Sequence, residues 1–353
     1  MGVHALNGTI KHYDWGGYSF IPELLKIDNS DHRPFAEYWM SKPELSYLFK
    51  VLDVRDMLSI QVHPERSAAE KEFARENAES IAIDAPHRNY KDANHKPELM
   101  VALSDFWLLH GFKPAEELVY TLLNVVELRD LLPIFNQSGY KGLYQHVMVM
   151  PQSEVDKILR PLIDNIASTY EHEAPEEFDE DYWALKAYKT FSANGSIDRG
   201  IFSIYLFNIV KLRKGEGIFQ DAGVPHAYLQ GQNVEIMANS DNVLRGGLTT
   251  KHIDVKELMK HVKFEATEPV ILKENFNVPV NDFTLESYQL KKGEEIKIRS
   301  LKNEIILAVQ GSVSLKDIKL EPGCPSAFID EEKEVILKAN SDATVFKAGS
   351  GVS

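Results

Sequence analysis

The chain has 353 residues, of which 44% are hydrophobic, so it can bury a large core and form two or three domains. Its 39 basic and 53 acidic residues give a formal net charge of −14, which argues against nucleic acid or an anionic membrane as a partner. Met1–Asn7 lacks the pattern of a secretory signal, and no apolar run approaches the roughly 20 residues of a membrane helix. The single cysteine, Cys324, cannot form an intramolecular disulfide. This composition is typical of a soluble cytoplasmic protein.

The segment Leu58–Pro64 alternates apolar and polar residues with the period of a half-buried strand. Ser59, Gln61 and His63 are predicted to share one face, which would present a hydroxyl, an amide oxygen and an imidazole in a row. A face of that composition suits a wet pocket. The apolar side chains expected to point into a core are Leu58, Ile60 and Val62.

The segment Tyr90–Glu98 carries a second group of polar residues. Its last residue, Glu98, stands where an apolar, strand-like run, Leu99–Leu103, begins. A carboxylate in that position is either a solvated residue at a strand start or a ligand that faces the same pocket.

The organisation changes near residue 113. Pro114–Phe135 and Glu154–Tyr170 have apolar residues at helical spacing, which predicts two amphipathic helices. The acidic run Glu171–Asp181 predicts a solvated connection or a helix start. Strand-forming residues return over Ile201–Leu212. We therefore expect a helical insertion between two β segments.

The segment Gly215–Arg245 carries a glycine-rich turn into a single histidine. Gly217 and Gly223 are expected to allow a tight turn between two strands, and Pro225 fixes the approach to His226. The segment resembles the second motif of the cupin barrels, with Gln230 where that motif usually has asparagine. The matching positions are Gly215, Asp221, Gly223 and His226.

Two histidines and one carboxylate, His63, Glu98 and His226, form a common set of ligands for a divalent metal. Each one alone is weak evidence, because a lone histidine on a strand is more often a hydrogen-bonded core or surface residue. The combination of an alternating polar face, a shaped turn that ends in histidine and a nearby carboxylate favours a metal site.

The remainder of the chain turns to short β segments. Val255–Val262 is predicted to be a short helix with Asp254 as its N-cap. No histidine follows His261, so this region cannot build a histidine-based metal centre. The strands predicted here are Glu295–Ile298, Glu304–Val309 and Val335–Leu337, with turns at Gly293, Gly311 and Pro322-Gly323.

Several separate blocks together resemble the type I phosphomannose isomerases, which are zinc-dependent enzymes of the cupin superfamily. The resemblance extends over about the first 255 residues, and no single motif carries it. The blocks are Tyr13–Gly17, Ala36–Met40, Leu58–Pro64, Tyr90–Glu98, Ala222–Gly231 and Ser240–Thr249.

The resemblance implies a mainly β fold with a cupin-type β-barrel or jelly-roll catalytic domain, an α-helical insertion and a second, cupin-like β domain. The expected division places residues 1–113 and 191–255 in the catalytic domain, 114–190 in the insertion and 256–353 in a C-terminal domain without metal ligands. It also implies one Zn²⁺ per chain, a sugar phosphate as substrate and interconversion of D-mannose 6-phosphate and D-fructose 6-phosphate through a cis-enediolate. The number of subunits is left open.

Carried over position by position, the resemblance implies a set of site residues. The metal ligands would be Gln61, His63, Glu98 and His226; the catalytic residues Arg245, Lys96, His95, Asp241 and Glu235; and the substrate-binding residues Ser59, Tyr228 and Lys251. Arg245 would stabilise anionic oxygen, since a guanidinium stays protonated. Glu235 is the expected proton-transfer base, with His95 as its competitor.

Two departures from the family pattern bear on contacts at the site. Thr250 stands before Lys251 where many members have proline, and Ser41-Lys42-Pro43 replaces a Gly-Ala-His-Pro run. The alternatives that the residues leave open are another metal-dependent cupin enzyme, such as a non-haem iron oxygenase, and a sugar-binding cupin without activity. An oxygenase would need Fe(II) and consume O₂, whereas a binding protein would hold sugar phosphate without converting it.

Overall fold

The structure is a computed structural model. It describes residues 45–170, 179–192, 195–316, 318–322, 326–329 and 331–351, together with the backbone of three earlier strands. These strands are β1 (Gly8–His12), β2 (Gly17–Pro22) and β3 (Phe35–Met40). Residues 1–7, 13–16 and 41–43, most of the acidic run Glu171–Asp181, and Cys324 lie outside the described residues.

A ten-stranded sheet wraps into a nearly closed barrel, which confirms the predicted mainly β class. Its strands are β3, β4 (Tyr47–Val54), β5 (Ile60–Val62), β6 (Glu98–Ala102), β7 (Phe106–Phe112), β8 (Phe207–Leu212), β9 (Gly217–Gln220), β10 (His226–Ala238), β11 (Leu244–Gly247) and β12 (Ile271–Leu272). The long strand β10 organises the sheet by pairing with four other strands. Its first residue pairs with β5 and β7, and its second half pairs with β4 on one side and β6 on the other.

An apolar cluster lies within the barrel, where Leu52, Met100, Phe106 and Leu108 pack with Tyr228. Successive strand residues point to opposite faces, so the alternate residues of the same strands face outward. This apolar cluster therefore fills part of the interior, and it adjoins the polar side chains of the site.

Helices cover one side of the barrel. They are α1 (Arg66–Ala78), α2 (Ala115–Asn124), a 3₁₀ helix (Val126–Leu131), α3 (Leu132–Val149), α4 (Gln152–Tyr170), α5 (Glu180–Phe191), α6 (Gly200–Leu206) and α7 (Val255–His261). No helix in the described parts of the chain is long and apolar enough to cross a bilayer.

Both segments predicted to be helical are helical in the structure, but the bounds of the helices differ. The predicted helix Pro114–Phe135 is divided into α2, the 3₁₀ helix and the start of α3. The predicted strand Ile201–Leu212 is wrong over its first half, because Gly200–Leu206 is the helix α6. All seven residues of α6 are buried, and a continuous apolar run does not distinguish a buried helix from a buried strand. The short helix after Asp254 is confirmed, with the Asp254 carboxylate accepting from the Glu257 N–H.

The C-terminal residues form two further sheets that share a core, and the predicted β segments of this region are confirmed as strands. The strands are β13 (Phe283–Leu290), β14 (Glu295–Ser300), β15 (Glu304–Gln310), β16 (Val313–Leu315), β17 (Ile318–Leu320), β18 (Ser326–Ile329), β19 (Lys333–Ala339) and β20 (Ala343–Ser350). The first sheet has the order β1, β2, β18, β15, β20, β13, and the second has the order β14, β19, β16, β17. Gly293 and Gly311 lie in the predicted turns with φ of +85° and +68°.

The first hairpin of the chain joins the C-terminal sheet, since Gly17–Phe20 of β2 pairs with Ser326–Ile329 of β18. The expected division had placed residues 1–113 together in the first domain. A hairpin's sequence records its own alternation and turn but not the sheet edge that it will meet, so the pattern could not reveal this pairing. The other boundaries of the division stay predictions.

A shared core joins the barrel to the C-terminal sheet. Outward-facing residues of β4, β6 and β10 pack against β13, β15 and β20, with Val51 and Val234 on one side and Leu307 and Phe346 on the other. The Tyr47 hydroxyl lies 2.9 Å from the carbonyl of Asn303 and 3.2 Å from that of Ala348, which share its single proton. The two parts therefore stabilise each other.

Phe346→Ala tests that shared core. Loss of the buried ring should destabilise the protein by about 3–5 kcal/mol, because it removes apolar contacts and leaves a cavity. Urea denaturation followed by circular dichroism measures the change. Ile336→Ala, at a half-exposed position of the C-terminal region, is the control and should shift the midpoint little. An equal shift in both variants would contradict the account of the core.

Candidate active site

The polar end of the barrel contains a cavity of about 180 Å³. Leu58 and Tyr228 form part of its wall, so Leu58 faces the pocket rather than the core that holds Ile60 and Val62. Six polar side chains converge on the cavity from four strands and one loop. They are Lys50, Gln61, Lys96, Glu98, His226 and Glu235.

The structure brings His63, Glu98 and His226 together, as predicted. One ligand atom from each lies within 4.8 Å of the others, and all three residues are buried. The Nε2 atoms of His63 and His226 lie 3.3 and 3.4 Å from the two carboxylate oxygens of Glu98. One carboxylate thus stands between two imidazoles.

Backbone carbonyls orient both imidazoles. The Nδ1 of His63 lies 2.8 Å from the carbonyl of Asn242, and the Nδ1 of His226 lies 3.0 Å from that of Val224. An Nδ1–H that donates to a carbonyl leaves the lone pair of Nε2 available as a ligand. Both Nε2 lone pairs then face Glu98.

The charge state of this group fits a bound cation. Burial lowers the pKa of His63 to about 4, so the imidazole is neutral at neutral pH. Burial opposes ionisation of Glu98, but its neighbours, the Lys96 amine foremost, outweigh burial and hold the pKa of that carboxyl well below its usual range. The buried Nε2 of His63 makes no hydrogen bond to a described residue. A lone pair pointed at an ionised carboxylate is unfavourable unless a cation lies between them, so the residues fit a divalent metal with nitrogen and oxygen ligands.

Gln61, the fourth predicted ligand, is placed at the same centre by the sheet. It pairs with His226 of β10 on one side and with Arg245 of β11 on the other. Its side chain lines the cavity. The role of its amide oxygen as a ligand stays a prediction.

Lys96 and Glu235 both line the pocket, and each affects the pKa of the other. The Nζ of Lys96 lies 3.0 Å from a Glu98 oxygen. Burial lowers the pKa of Lys96, but Glu98 and Glu235 outweigh it, so the amine stays charged. Burial, followed by the charge of Glu98, raises the pKa of Glu235 to about 7. That carboxyl can both accept and release a proton near neutral pH.

Lys50 is a pocket residue that the sequence analysis missed. It lies on β4 directly across from Glu235 and is buried. The clue to its role was a lysine within the strand Tyr47–Val54. Every residue of this strand is buried. A lysine at such a position rarely serves packing alone.

Four further predicted residues, Arg245, Ser59, Asp241 and Lys251, do not line the cavity. Arg245 is half-buried on β11, and burial lowers its pKa, although a guanidinium remains protonated. Ser59 is half-buried, and the side chains of Asp241 and Lys251 are exposed. The Asp241 N–H donates to Asp92 over 2.8 Å. The roles of these four residues toward a substrate stay predictions.

His95 is held away from the cavity. Its Nε2 lies 2.9 Å from an Asp282 oxygen and 2.6 Å from Nη2 of Arg66. Asp282 precedes β13, so this cluster joins the Tyr90–Glu98 segment to the C-terminal region. Of the two candidate bases, Glu235 is the one that faces the pocket.

Asn242 links the loops of the site and was also missed. Its fully buried side chain accepts from the Lys91 N–H and donates to the carbonyls of Asp92 and Asn94, while its own carbonyl holds His63. Gly223, with a φ of +81°, lies in the turn between β9 and His226, whereas Gly215, with a φ of +88°, lies in the preceding turn between β8 and β9. Gly217, which had been predicted to turn, lies in β9, where a Cβ would come within 2.9 Å of the Met100 carbonyl.

The chain is a cupin-type barrel with a buried His–Glu–His centre and a titratable carboxyl at its cavity. This fold and site are those of a metal-dependent enzyme. Residues 41–115 match the family model for the catalytic domain of type I phosphomannose isomerase. The mannose-6-phosphate isomerase of Escherichia coli (strain K12) is 34% identical in an alignment that covers 96% of this chain and 97% of that protein. The chain therefore belongs to the mannose-6-phosphate isomerase family.

Two further comparisons agree. Mannose-6-phosphate isomerase 1 of Arabidopsis thaliana is 27% identical and covers 98% of this chain and 94% of its own length. The crystal structure of mannose 6-phosphate isomerase from Salmonella typhimurium, described as bound to substrate and a zinc atom, has 31% identity and a TM-score of 0.79. The match covers 98% of both chains.

His226→Ala should weaken zinc binding by more than the roughly 10–100-fold that loss of an outer-shell partner costs, because it removes a ligand itself. Equilibrium dialysis with metal analysis measures the affinity directly. His146→Ala, which removes an exposed imidazole from α3, is the control and should bind zinc as the wild type does. Unchanged binding in the His226 variant would contradict the assignment of the metal centre.

Proposed function

We propose that this protein is a zinc-dependent aldose–ketose isomerase that interconverts D-mannose 6-phosphate and D-fructose 6-phosphate through a cis-enediolate. The observation that carries the proposal is the His63–Glu98–His226 centre beside Glu235, a buried carboxyl whose pKa lies near 7. Family membership and the relative bound to substrate and zinc support the reaction and the metal.

Zn²⁺ held by His63, Glu98, His226 and Gln61 would act as a Lewis acid toward the oxygens at C1 and C2 of the open-chain sugar. The protein's own contribution is to keep the imidazoles neutral and the carboxylate ionised, which are the forms that bind metal. No residue in this chemistry changes its oxidation state.

Glu235 moves the proton. It takes the proton from C2 of open-chain mannose 6-phosphate, and the electron pair of that C–H bond forms the C1–C2 double bond of the enediolate. The carboxyl then returns the proton to C1, while the proton of the C2 hydroxyl is transferred to the oxygen on C1. Burial raises the pKa of Glu235, so its carboxylate is a stronger base than an exposed one and its protonated form can return the proton.

Positive side chains offset the charge that develops. Arg245, beside Gln61 in the sheet, stabilises the anionic oxygen of the enediolate or the phosphate. Lys96 keeps Glu98 ionised through their 3.0 Å contact and extends positive charge into the cavity. Lys50 is the direct neighbour of Glu235 on the adjacent strand β4 and adds positive charge beside it.

The substrate's phosphate extends toward the entrance. In this proposal the cavity of about 180 Å³ holds the reacting end of the sugar, and Ser59 and Lys251 donate to the phosphate. Asp241 and Tyr228 contact the sugar hydroxyls in this arrangement. His95 serves to hold the Tyr90–Glu98 segment in place through Asp282. The cytoplasmic location stays a prediction.

A coupled assay that follows fructose 6-phosphate formation from mannose 6-phosphate tests the proposal. The protein is assayed as purified, after chelation and after zinc is added back. Turnover that is lost on chelation and restored by zinc is the expected result. Absence of turnover with zinc confirmed to be bound would contradict the reaction, and O₂ consumption with Fe(II) would point to an oxygenase instead.

Glu235→Gln should reduce kcat by roughly 10²–10⁴-fold, the range that a general base contributes, while zinc content stays at one per chain. The variant keeps the side chain's shape and removes its ability to accept a proton. Turnover in the coupled assay and metal analysis on the same sample measure both effects. A variant with wild-type turnover would transfer the role of base to another residue.

Arg245→Ala should retain zinc and lose turnover by at least roughly 10²-fold, since it removes charge stabilisation from the reacting oxygens. Arg129→Ala, on the exposed 3₁₀ helix, controls for general loss of positive charge and should leave turnover unchanged. Equal loss of zinc and turnover in the Arg245 variant would show that the arginine supports the metal centre instead.

A further inference from the structure

Gln220 is a buried amide directly behind the pocket wall. It ends β9, pairs with Glu98 of β6 and is fully buried, but it does not line the cavity. Its Nε2 lies 3.1 Å from the hydroxyl of Tyr228, which does line the cavity. Gln220 therefore acts on the pocket only through another side chain.

The directions of the hydrogen bonds follow from the proton that Tyr228 carries. The phenol has a single proton, and its oxygen lies 2.5 Å from Oε1 of Glu235. A carboxylate is a stronger acceptor than an amide oxygen, so the proton points to Glu235. The group that Gln220 presents to the phenol must then be its NH₂. The chain of donors runs from Gln220 to Tyr228 to Glu235.

Stability alone does not account for an amide at this position. The Oε1 of Gln220 is buried and makes no hydrogen bond within the described part of the chain. A buried amide with one unpartnered end is unfavourable, whereas an apolar side chain of similar volume would fill the space without that cost. What the amide adds is the hydrogen bond to Tyr228.

We propose that Gln220 is a positioning residue for the isomerisation: by donating to Tyr228, it keeps the phenol proton on Glu235 and fixes the orientation of that carboxylate. The inference rests on the proposed function of Glu235. With Oε1 bound to Tyr228, Oε2 is the oxygen left for proton transfer. The amide donates to one lone pair of the phenol oxygen, which disfavours rotation of the hydroxyl away from Glu235.

Gln220→Met keeps the volume and removes the donor. We expect kcat to fall roughly tenfold, since small misplacements of a catalytic group are costly, while KM stays unchanged because Gln220 does not touch the substrate. In a Tyr228→Phe background the same substitution should change kcat less than about twofold, because its only route to Glu235 is already lost. Equal losses in both backgrounds, or a change confined to KM, would overturn the proposal.

A matched control and a measurement without substrate complete the test. Gln289→Met removes an amide that accepts from Thr344 in the C-terminal region and should leave kcat unchanged. In protein labelled with [¹³Cζ]tyrosine, the resonance that disappears in Tyr228→Phe belongs to Tyr228. It should shift in Gln220→Met and not in Gln289→Met. An unshifted resonance overturns the inference, whereas a wild-type protein without turnover overturns the proposed function only.

Discussion

The carboxylate of Glu98 is the interaction on which the rest of the site depends. It is buried at the start of β6 and has His63 at 3.3 Å, His226 at 3.4 Å and Lys96 at 3.0 Å. An ionised carboxylate in such a place is costly unless positive charge surrounds it. Lys96 supplies one charge and the proposed metal supplies another. The same negative charge helps to raise the pKa of Glu235, so a single residue links metal binding to proton transfer.

The strand β10 brings these groups together from distant parts of the sequence. It begins with His226, carries Tyr228 and Glu235 toward the cavity, and pairs with the strands that hold Lys50, Gln61 and Glu98. Its outer residues pack on the C-terminal sheet through the core that contains Val234 and Ile236. The geometry of the site therefore depends on packing far from the chemistry, and the C-terminal region supports the site without supplying a ligand.

Local patterns in the sequence predicted the features that depend on neighbouring residues, such as strand ends and turns. The alternation around Gln61 and His63, the carboxylate at the start of an apolar run and the turn before His226 each identified a strand end, and the structure brings His63, Glu98 and His226 together. Long-range pairing was not accessible in this way. The junction of β2 with β18, the helix α6 in an apolar run and the burial of Lys50 against Glu235 all result from tertiary contacts that no short window records. The ties of His95 to Asp282 and of Gln220 to Tyr228 belong to the same class.

X-ray absorption at the zinc edge of the purified protein tests the central claim most directly. The account predicts a centre with two imidazole nitrogens at about 2.0–2.1 Å and oxygen ligands from a carboxylate and an amide, without sulfur. The imidazole signal should fall to one in a variant that lacks either histidine. A sulfur ligand, or a single imidazole in the wild-type protein, would contradict the assignment of His63, Glu98 and His226 as the metal centre.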